Sequence, residues 1–138
     1  MPATLSRHLV KARDLADAKY AESLSVDDMA RAANLSRGHF SEQFRGAFGV
    51  SPHAYLLTRR LERAAALLRN TDHSVSDICF SVGLSSVGSF TTSFTRMFGD
   101  SPAAYRKKYP PPSARVPLPA CVTRVYGRPK HRTFREDT

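Results

Sequence analysis

Aromatic residues recur at intervals of four in two separate parts of this chain. Phe40, Phe44 and Phe48 form the first series, and the segment 90–98 repeats the same interval fifty residues later. Residues four apart lie on one side of an α-helix, so each series predicts an amphipathic helix whose aromatic side is buried. The polar residues between the phenylalanines are then left on the opposite side of the helix.

The two aromatic series belong to a longer unit that occurs twice. Segments 25–55 and 74–105 both start with serine, have a leucine in their middle and end on a Phe-Gly-x-Ser-Pro-x-x-Tyr pattern. One residue is inserted in the second copy, between Leu84 and Phe90. A repeat of this kind indicates two copies of one supersecondary element. The matched pairs are Ser25/Ser74, Leu35/Leu84, Phe40/Phe90, Phe44/Phe94, Phe48/Phe98, Gly49/Gly99, Ser51/Ser101, Pro52/Pro102 and Tyr55/Tyr105.

Start and stop signals around these patterns predict seven helices and no strand, and therefore an all-α fold. Serine precedes most of the helical patterns, where an N-cap is expected, and Pro52 adds a proline at a first helical position. Gly49 and Gly99 lie where a left-handed residue ends a helix. The apolar spacing from Leu5 to Tyr20 predicts the first helix.

A long helix is predicted between the two copies, from Pro52 to about Asn70. At ~1.5 Å per residue, its roughly 19 residues would span about 28 Å. We expect an inner face made of Tyr55, Leu57, Leu61, Ala64, Ala65 and Leu68.

Each copy therefore contains a short helix, a tight turn and a longer helix, which together make a helix-turn-helix. The outer side of each longer helix is polar and carries small residues, as expected of a helix in the major groove of DNA. Two such helices on one side of B-DNA need a separation of about 34 Å, which the long helix with its flanking turns can provide. A plain solvated surface is the alternative interpretation. The outward residues are Gly38, Ser41, Glu42 and Arg45 in the first copy, and Gly88, Thr91, Thr92 and Thr95 in the second, with Arg96 beside them.

The charge of the chain favours a polyanionic partner. The net charge is +9 and the isoelectric point about 10.2, a balance typical of proteins that bind nucleic acid or an anionic membrane surface. No apolar run approaches the ~18 to 20 residues of a membrane span, and the N-terminus has no signal-peptide pattern. Two cysteines provide no disulfide framework. We therefore expect a cytoplasmic, nucleoid-associated protein without a membrane partner.

The two copies resemble the DNA-binding domain of the AraC/XylS family of bacterial transcription regulators. The resemblance rests on MARAANLSRGHFSEQFRGAFGVSPHAYL, on RRLERAAALL and on DICFSVGLSSVGSFTTSFTRMFGDSPAAYR, within about residues 3–109. It implies a homeodomain-like fold with two helix-turn-helix subdomains, about 3–50 and 74–109, joined by a linker helix over about 52–70. It implies a sequence-specific regulator that binds double-stranded promoter DNA. The regulator would be a monomer on DNA unless a further domain dimerises it, with RNA polymerase as a second partner for activation.

The resemblance also implies which residues contact DNA, on helices predicted over residues 37–48 and 87–98. Glu42 can accept a hydrogen bond from cytosine N4. Small residues occupy most of the base-reading positions, so the second helix is expected to favour phosphate contacts and shape recognition over base identity. The base-reading positions are Gly38, Ser41 and Glu42, then Val87, Gly88, Ser89, Thr91 and Thr92. Arg37 and Arg45 would contact phosphates or bases, and Ser36, Ser86 and Arg96 the DNA backbone. His39 either donates to a phosphate or has a plain surface or helix–helix role.

Residues 110–138 differ in composition from the rest of the chain. They hold 6 Lys+Arg and 2 Asp+Glu, six prolines and few large apolar residues. This composition predicts a basic, flexible tail. In the alternative interpretation the tail folds over the domain through its apolar residues.

Other functions are compatible with parts of the sequence. A non-specific or architectural DNA-binding protein would also be basic, and the chain could be the DNA-binding fragment of a longer ligand-sensing regulator. A fragment of a repair alkyltransferase would use Cys121 as the accepting thiol, but no catalytic constellation surrounds it. The five histidines have no metal-ligand spacing and no cofactor motif occurs. The sequence therefore predicts neither an enzyme nor a cofactor or metal site, and Cys79 is predicted to be a small core residue.

Overall fold

A computed structural model of the protein describes residues 6–114. In this range it contains seven α-helices, one 3-10 turn and no strand, which confirms the predicted all-α fold. None of the helices described is long and apolar enough to cross a membrane. The elements are α1 (Arg7–Lys19), α2 (Val26–Ala32), α3 (Arg37–Phe48), α4 (Pro52–Asn70), α5 (Val75–Ser81), α6 (Val87–Phe98), α7 (Pro102–Lys108) and the 3-10 turn Pro112–Ala114.

Serine side chains begin the helices. Each accepts a hydrogen bond from a backbone N–H two or three residues later, which satisfies a donor that the helix leaves unpaired. Ser25 and Asp28 form a reciprocal capping box, with N–H to Oδ2 and N–H to Oγ distances of 2.9 and 3.1 Å. The Ser25 N–H is the main reason that the pKa of Asp28 lies below its ordinary value. The capping residues are Ser6, Ser25, Ser36, Ser51, Ser74, Ser86 and Ser101.

The turn inside each helix-turn-helix has the same backbone form. The Leu35 N–H donates to the carbonyl five residues back at 3.0 Å, and the Leu84 N–H does the same at 3.1 Å. Bonds of this kind define the Schellman motif, which ends a helix at a left-handed residue. That residue is Asn34 in the first unit, with φ 58°, and Gly83 in the second, with φ 89°. Asparagine and glycine are the residues that adopt this conformation at least cost.

The described chain divides into two compact units within α4, residues 6–60 and 61–114. The first unit contains α1, α2, α3 and the first half of α4. The second contains the rest of α4 followed by α5, α6 and α7. The boundary therefore falls inside the predicted linker helix, and each half of that helix contributes to the core of one unit.

The aromatic sides of α3 and α6 are buried, as the spacing of the phenylalanines predicts. Phe40 and Phe44 are fully buried, and the rings of Phe44 and Tyr55 meet edge to face at a centroid distance of 5.6 Å. In the second unit Phe94 and Tyr105 repeat this contact at 5.2 Å. Edge-to-face pairs add about 0.5–1.5 kcal/mol to the burial of the rings themselves. The repeated phenylalanines and tyrosines thus build the same aromatic cluster twice.

One detail of the predicted inner face of α4 is wrong. Leu57 is only half-buried, whereas Leu56, which the prediction omitted, is 4% exposed and belongs to the core of the first unit. Leu61 and Ala65 are buried on the other side of the helix. A single apolar stripe cannot describe a helix that buries residues on opposite sides, because its sequence pattern is the sum of two stripes.

Arg60 on α4 closes the connection between α1 and α2. Its guanidinium donates to the carbonyl oxygens of Tyr20, Glu22 and Leu24 at 2.7, 3.2 and 3.0 Å. The last carbonyls of a helix have no partner within the helix, and Arg60 supplies one. The second unit has a counterpart in Arg106 on α7, whose guanidinium donates to the last turn of α4 and to the residue after it.

Arg106 holds the C-terminal end of α4 in the same manner as Arg60 holds that of α1. Its Nε lies 3.2 Å from the carbonyl oxygen of Leu68, and its Nη2 lies 3.0 Å from that of Thr71. The beginning of the predicted tail is close to this end as well. Ser113, which lies in the 3-10 turn, donates to the carboxylate of Asp72 at 2.7 Å. Residues 110–114 are therefore ordered against the second unit, and the rest of the predicted tail lies outside the described residues.

Tyr55 is expected to ionise only in strong base. Burial, together with the hydrogen bond from its Oη to Asp17 Oδ1 at 2.5 Å, raises the pKa of Tyr55 to about 12. Folding favours the neutral phenol, so this contribution to stability is complete below the ordinary pKa of about 10 and is lost as the pH rises toward 12. In an absorbance titration of phenolate formation, Tyr55→Phe should lack part of the absorbance gained near pH 12 and keep all of that gained near pH 10. Loss of the absorbance gained near pH 10 would contradict the assignment.

Candidate nucleic-acid interface

The outer face of α3 lies on the surface of the first unit. Gly38, Glu42 and Arg45 are exposed, and Ser41 is partly exposed. The buried phenylalanines on the opposite side fix the orientation of the helix, so these residues point away from the core. The face carries one carboxylate and one guanidinium beside a glycine and a hydroxyl.

The N-terminal turn of α3 adds further polar groups. Ser36 accepts from the N–H of His39 at 3.3 Å, and Arg37 Nη1 lies 3.6 Å from Asp27 Oδ2. Both charged groups of this ion pair are largely exposed, so the pair is weak and Arg37 can turn toward another anion. The helix start therefore holds a guanidinium and a serine cap where anions are favoured.

His39 has a partner that sequence reasoning missed. Its Nε2 lies 2.7 Å from Nε2 of Gln43, one turn later on α3. The amide can donate to an imidazole whose Nε2 carries no hydrogen. Both side chains are exposed, and glutamine is one of the residues that read adenine in the major groove. The spacing of four between the two residues was a signal that could have identified Gln43.

The outer face of α6 contains hydroxyls and methyl groups in place of charges. Gly88 and Thr92 are exposed, while Val87 and Thr91 are partly buried. The hydroxyl of Thr92 donates to the carbonyl of Gly88 at 3.1 Å, and that of Thr95 donates to the carbonyl of Thr91 at 2.7 Å. These two hydroxyl hydrogens are thus engaged within the helix.

The start and the end of α6 resemble those of α3 in part. Ser86 accepts from the N–H of Ser89 at 3.2 Å, and the two hydroxyl oxygens also lie 3.2 Å apart. Arg96, the one charged residue of α6, is exposed in the last turn. An exposed cation near the C-terminal end of a helix that lies along DNA is suited to a phosphate contact.

Neither glycine of the outer faces is required by packing inside the protein. A Cβ atom built at Gly38 or at Gly88 meets no atom within 4 Å. No contact within the described chain therefore requires glycine at either position, and both glycines leave the helix backbone uncovered on the outer face.

The described residues 6–114 contain no assembled metal site. No cluster of three or more His, Cys, Asp or Glu residues in that range could hold a metal ion. Cys79 is buried, as predicted for a core residue, and burial raises the pKa of its thiol, so the reactive thiolate is disfavoured. Cys121, the thiol of the alkyltransferase hypothesis, lies outside the described residues.

Comparison with known proteins identifies relatives of most of this region. A family model described as a helix-turn-helix domain matches residues 29–108. The HTH-type transcriptional regulator MtrA of Neisseria gonorrhoeae is 39% identical over 84 residues, which are 61% of this chain and 28% of that protein. The chain spans about a third of the length of the curated relatives that it matches.

Solved structures of the same architecture include one with DNA. The DNA-binding domain of AdpA, a global transcriptional factor in complex with a target DNA, is 34% identical with a TM-score of 0.71, covering 75% of this chain and 94% of that one. The C-terminal domain of AraT, a response regulator from Geobacillus stearothermophilus, is 27% identical with a TM-score of 0.75. It covers 86% of this chain and 98% of that one. The fold is thus one in which a helix-turn-helix occurs twice.

Proposed function

We propose, since this chain belongs to the AraC/XylS family of helix-turn-helix DNA-binding domains, that it is a transcription regulator which binds promoter DNA sequence-specifically. One observation carries the proposal. In each unit a helix that follows a helix-turn-helix turn buries an aromatic side and exposes a polar one. The DNA complex of the AdpA domain supports double-stranded DNA as the ligand.

The proposed mechanism gives α3 and α6 the same task on two segments of one DNA site. Each helix would enter the major groove with its outer face, because a groove about 12 Å wide admits one α-helix. Ser36 and Ser86, at the N-terminal ends, would lie beside phosphates that the helix dipole attracts. The two faces have different side chains, so we expect an asymmetric DNA site bound by one monomer.

The charged residues of α3 would make the strongest direct contacts. Arg37 and Arg45 can each donate two parallel hydrogen bonds to a guanine edge or a phosphate. Glu42 can accept from a cytosine amino group and would repel a phosphate, which makes it a discriminating residue. His39 and Gln43 would lie next to these groups on the same helix.

We also propose a location and a second partner for the protein. With chromosomal DNA as its target, the protein would act in the cytoplasm, in contact with the nucleoid. RNA polymerase is proposed as a second partner where the regulator activates. No reaction, cofactor or metal is assigned to the chain, and its sensing of any signal would belong to other parts of a longer regulator.

In vitro selection from random duplexes tests the proposal. We expect an enriched asymmetric motif, with two protected segments in footprints taken at low and at moderate salt. Binding without any enriched motif, which collapses as salt rises, would instead indicate an architectural protein whose affinity comes from its basic charge.

Replacing Arg45 by alanine is expected to weaken binding to the selected site by about 1–3 kcal/mol, because a guanidinium contact to a base or buried phosphate is lost. The measurement is an equilibrium titration of labelled duplex. Lys11→Ala, which removes one positive charge from an exposed position on α1, is the control and should change affinity far less. Equal affinities of wild type and Arg45→Ala would show that Arg45 does not contact the DNA.

A further inference from the structure

The two recognition helices differ at corresponding positions in a systematic way. Three charged residues of α3, one in its first turn and two on its outer face, are replaced in α6 by residues that carry methyl groups, fifty positions later. All of them lie on the surface or at its edge. The difference concerns the chemistry of the face alone, because the buried aromatic sides of the two helices are the same. The pairs are Arg37 and Val87, Glu42 and Thr92, and Arg45 and Thr95.

The hydrogen bonds of the threonines increase this difference. A threonine hydroxyl has one hydrogen to donate, and those of Thr92 and Thr95 are bound to the carbonyl oxygens of Gly88 and Thr91. What the two side chains can still offer to a DNA base is a methyl group and an acceptor oxygen. Val87 offers only methyl groups.

A surface of methyl groups and acceptors fits one class of base pair in the major groove. Guanine presents two acceptors there, N7 and O6, and needs a donor opposite them. An A·T pair presents the thymine methyl group and the adenine amino donor, which match a methyl group and an acceptor. A G·C pair has an amino donor on cytosine but no methyl group.

We infer that α6 is a reader of thymine methyl groups, and that Val87, Thr92 and Thr95 select A·T pairs in the half of the DNA site bound by the second unit. The inference rests on the proposed function and departs from the expectation that the second unit favours phosphate contacts and shape recognition. Arg96 would contact the DNA backbone.

The experiment uses the full chain and its selected duplex. An iron chelate that cleaves DNA is attached to the cysteine of Ser85→Cys, in a chain that also carries Cys121→Ser. Its cleavage first identifies the half-site next to the start of α6. Thymines of that half-site are then replaced by deoxyuridine, which removes only the methyl groups. We expect affinity to fall about fourfold for each contacted methyl lost. When the same positions carry C·G pairs instead, 5-methylcytosine should be bound more tightly than unmodified cytosine and so recover part of the lost affinity.

Two substitutions at Thr92 separate the methyl group from the hydroxyl. Thr92→Ser keeps the hydroxyl and removes the methyl group, so it should abolish the penalty for deoxyuridine at one thymine. Thr92→Val keeps a methyl group and the branched shape but lacks the acceptor oxygen, so it should keep the penalty for deoxyuridine at that thymine. Circular dichroism of both variants controls for helix content, which neither change should alter.

The outcomes distinguish this inference from the proposed function. Loss of affinity in Thr92→Val with full affinity in Thr92→Ser would show that the hydroxyl reads the base and would overturn the inference. An enriched motif without A·T pairs in the second half, or one that tolerates deoxyuridine throughout, would overturn it as well while leaving the proposed function intact. Binding without any sequence preference would overturn both.

Discussion

Replacing Phe44 by alanine is expected to lower the free energy of unfolding by about 3–5 kcal/mol. The ring is fully buried, and it contacts the rings of Phe40, Phe48 and Tyr55 at centroid distances of 5.5, 4.5 and 5.6 Å. Removing it leaves a cavity at the centre of the aromatic cluster of the first unit. Urea denaturation followed by circular dichroism measures the change through the midpoint of unfolding.

An exposed phenylalanine in the same protein provides the matched control for this prediction. Phe80 on α5 is 55% exposed, so Phe80→Ala makes the same chemical change without opening a cavity and should stay within about 0.5 kcal/mol of wild type. If Phe44→Ala unfolds at the wild-type urea concentration, the aromatic cluster does not stabilise the unit as its burial indicates.

The second large effect is expected at Arg60. Replacing it by alanine should lower the free energy of unfolding by about 2–4 kcal/mol. Three hydrogen bonds from a charged donor are lost, and the carbonyl oxygens that accepted them become partly unsatisfied. Arg60→Lys should recover only part of this, since an ammonium group cannot reproduce the planar fork that reaches three carbonyl oxygens. Thermal unfolding of the three proteins gives the comparison.

A neighbouring arginine on the same helix controls for the loss of charge. Arg63 is exposed, one turn after Arg60, and Arg63→Ala should change stability by less than about 0.5 kcal/mol. A change as small as this in Arg60→Ala would mean that the connection between α1 and α2 holds its conformation without the guanidinium.

The helices and their ends could be predicted from sequence because local chemistry decides them. Ser36 and Ser86 begin helices by capping the next N–H groups, and Gly49 and Gly99 end them with φ values of 81° and 86°. These signals act within a few residues of the chain. Burial of the phenylalanine stripes follows equally from their spacing of four.

Interactions between distant segments were not predictable in this way. In the sequence, Arg60 and Arg106 look like ordinary surface residues. Their hydrogen bonds are made with carbonyl groups 35 to 40 residues earlier in the chain. The burial of Leu56 is of the same kind, because the first unit packs against a side of α4 that its main apolar stripe does not include.

The positions of the candidate site residues could be predicted from the sequence, but their hydrogen bonds could not. Sequence spacing selects the residues that face outward on α3 and α6, and their DNA contacts stay a prediction. It does not show that Thr92 and Thr95 bond to their own helix, since serine and threonine inside a helix can also leave the hydroxyl in solvent. That bond decides which chemical groups the helix can present to a base.

The division of the chain inside α4 has a consequence for recombination between related proteins. In its first half α4 acts as α7 does in the second unit, with Tyr55 packed on Phe44 as Tyr105 is on Phe94. In its second half it acts as α1 does, with its end held by an arginine. One helix therefore supplies an element to each repeat, and the two repeats meet within it. Chimaeras that exchange one DNA-reading unit should be joined between Arg60 and Leu61, in mid-helix, because a junction in either flanking loop would separate part of a core from its own unit.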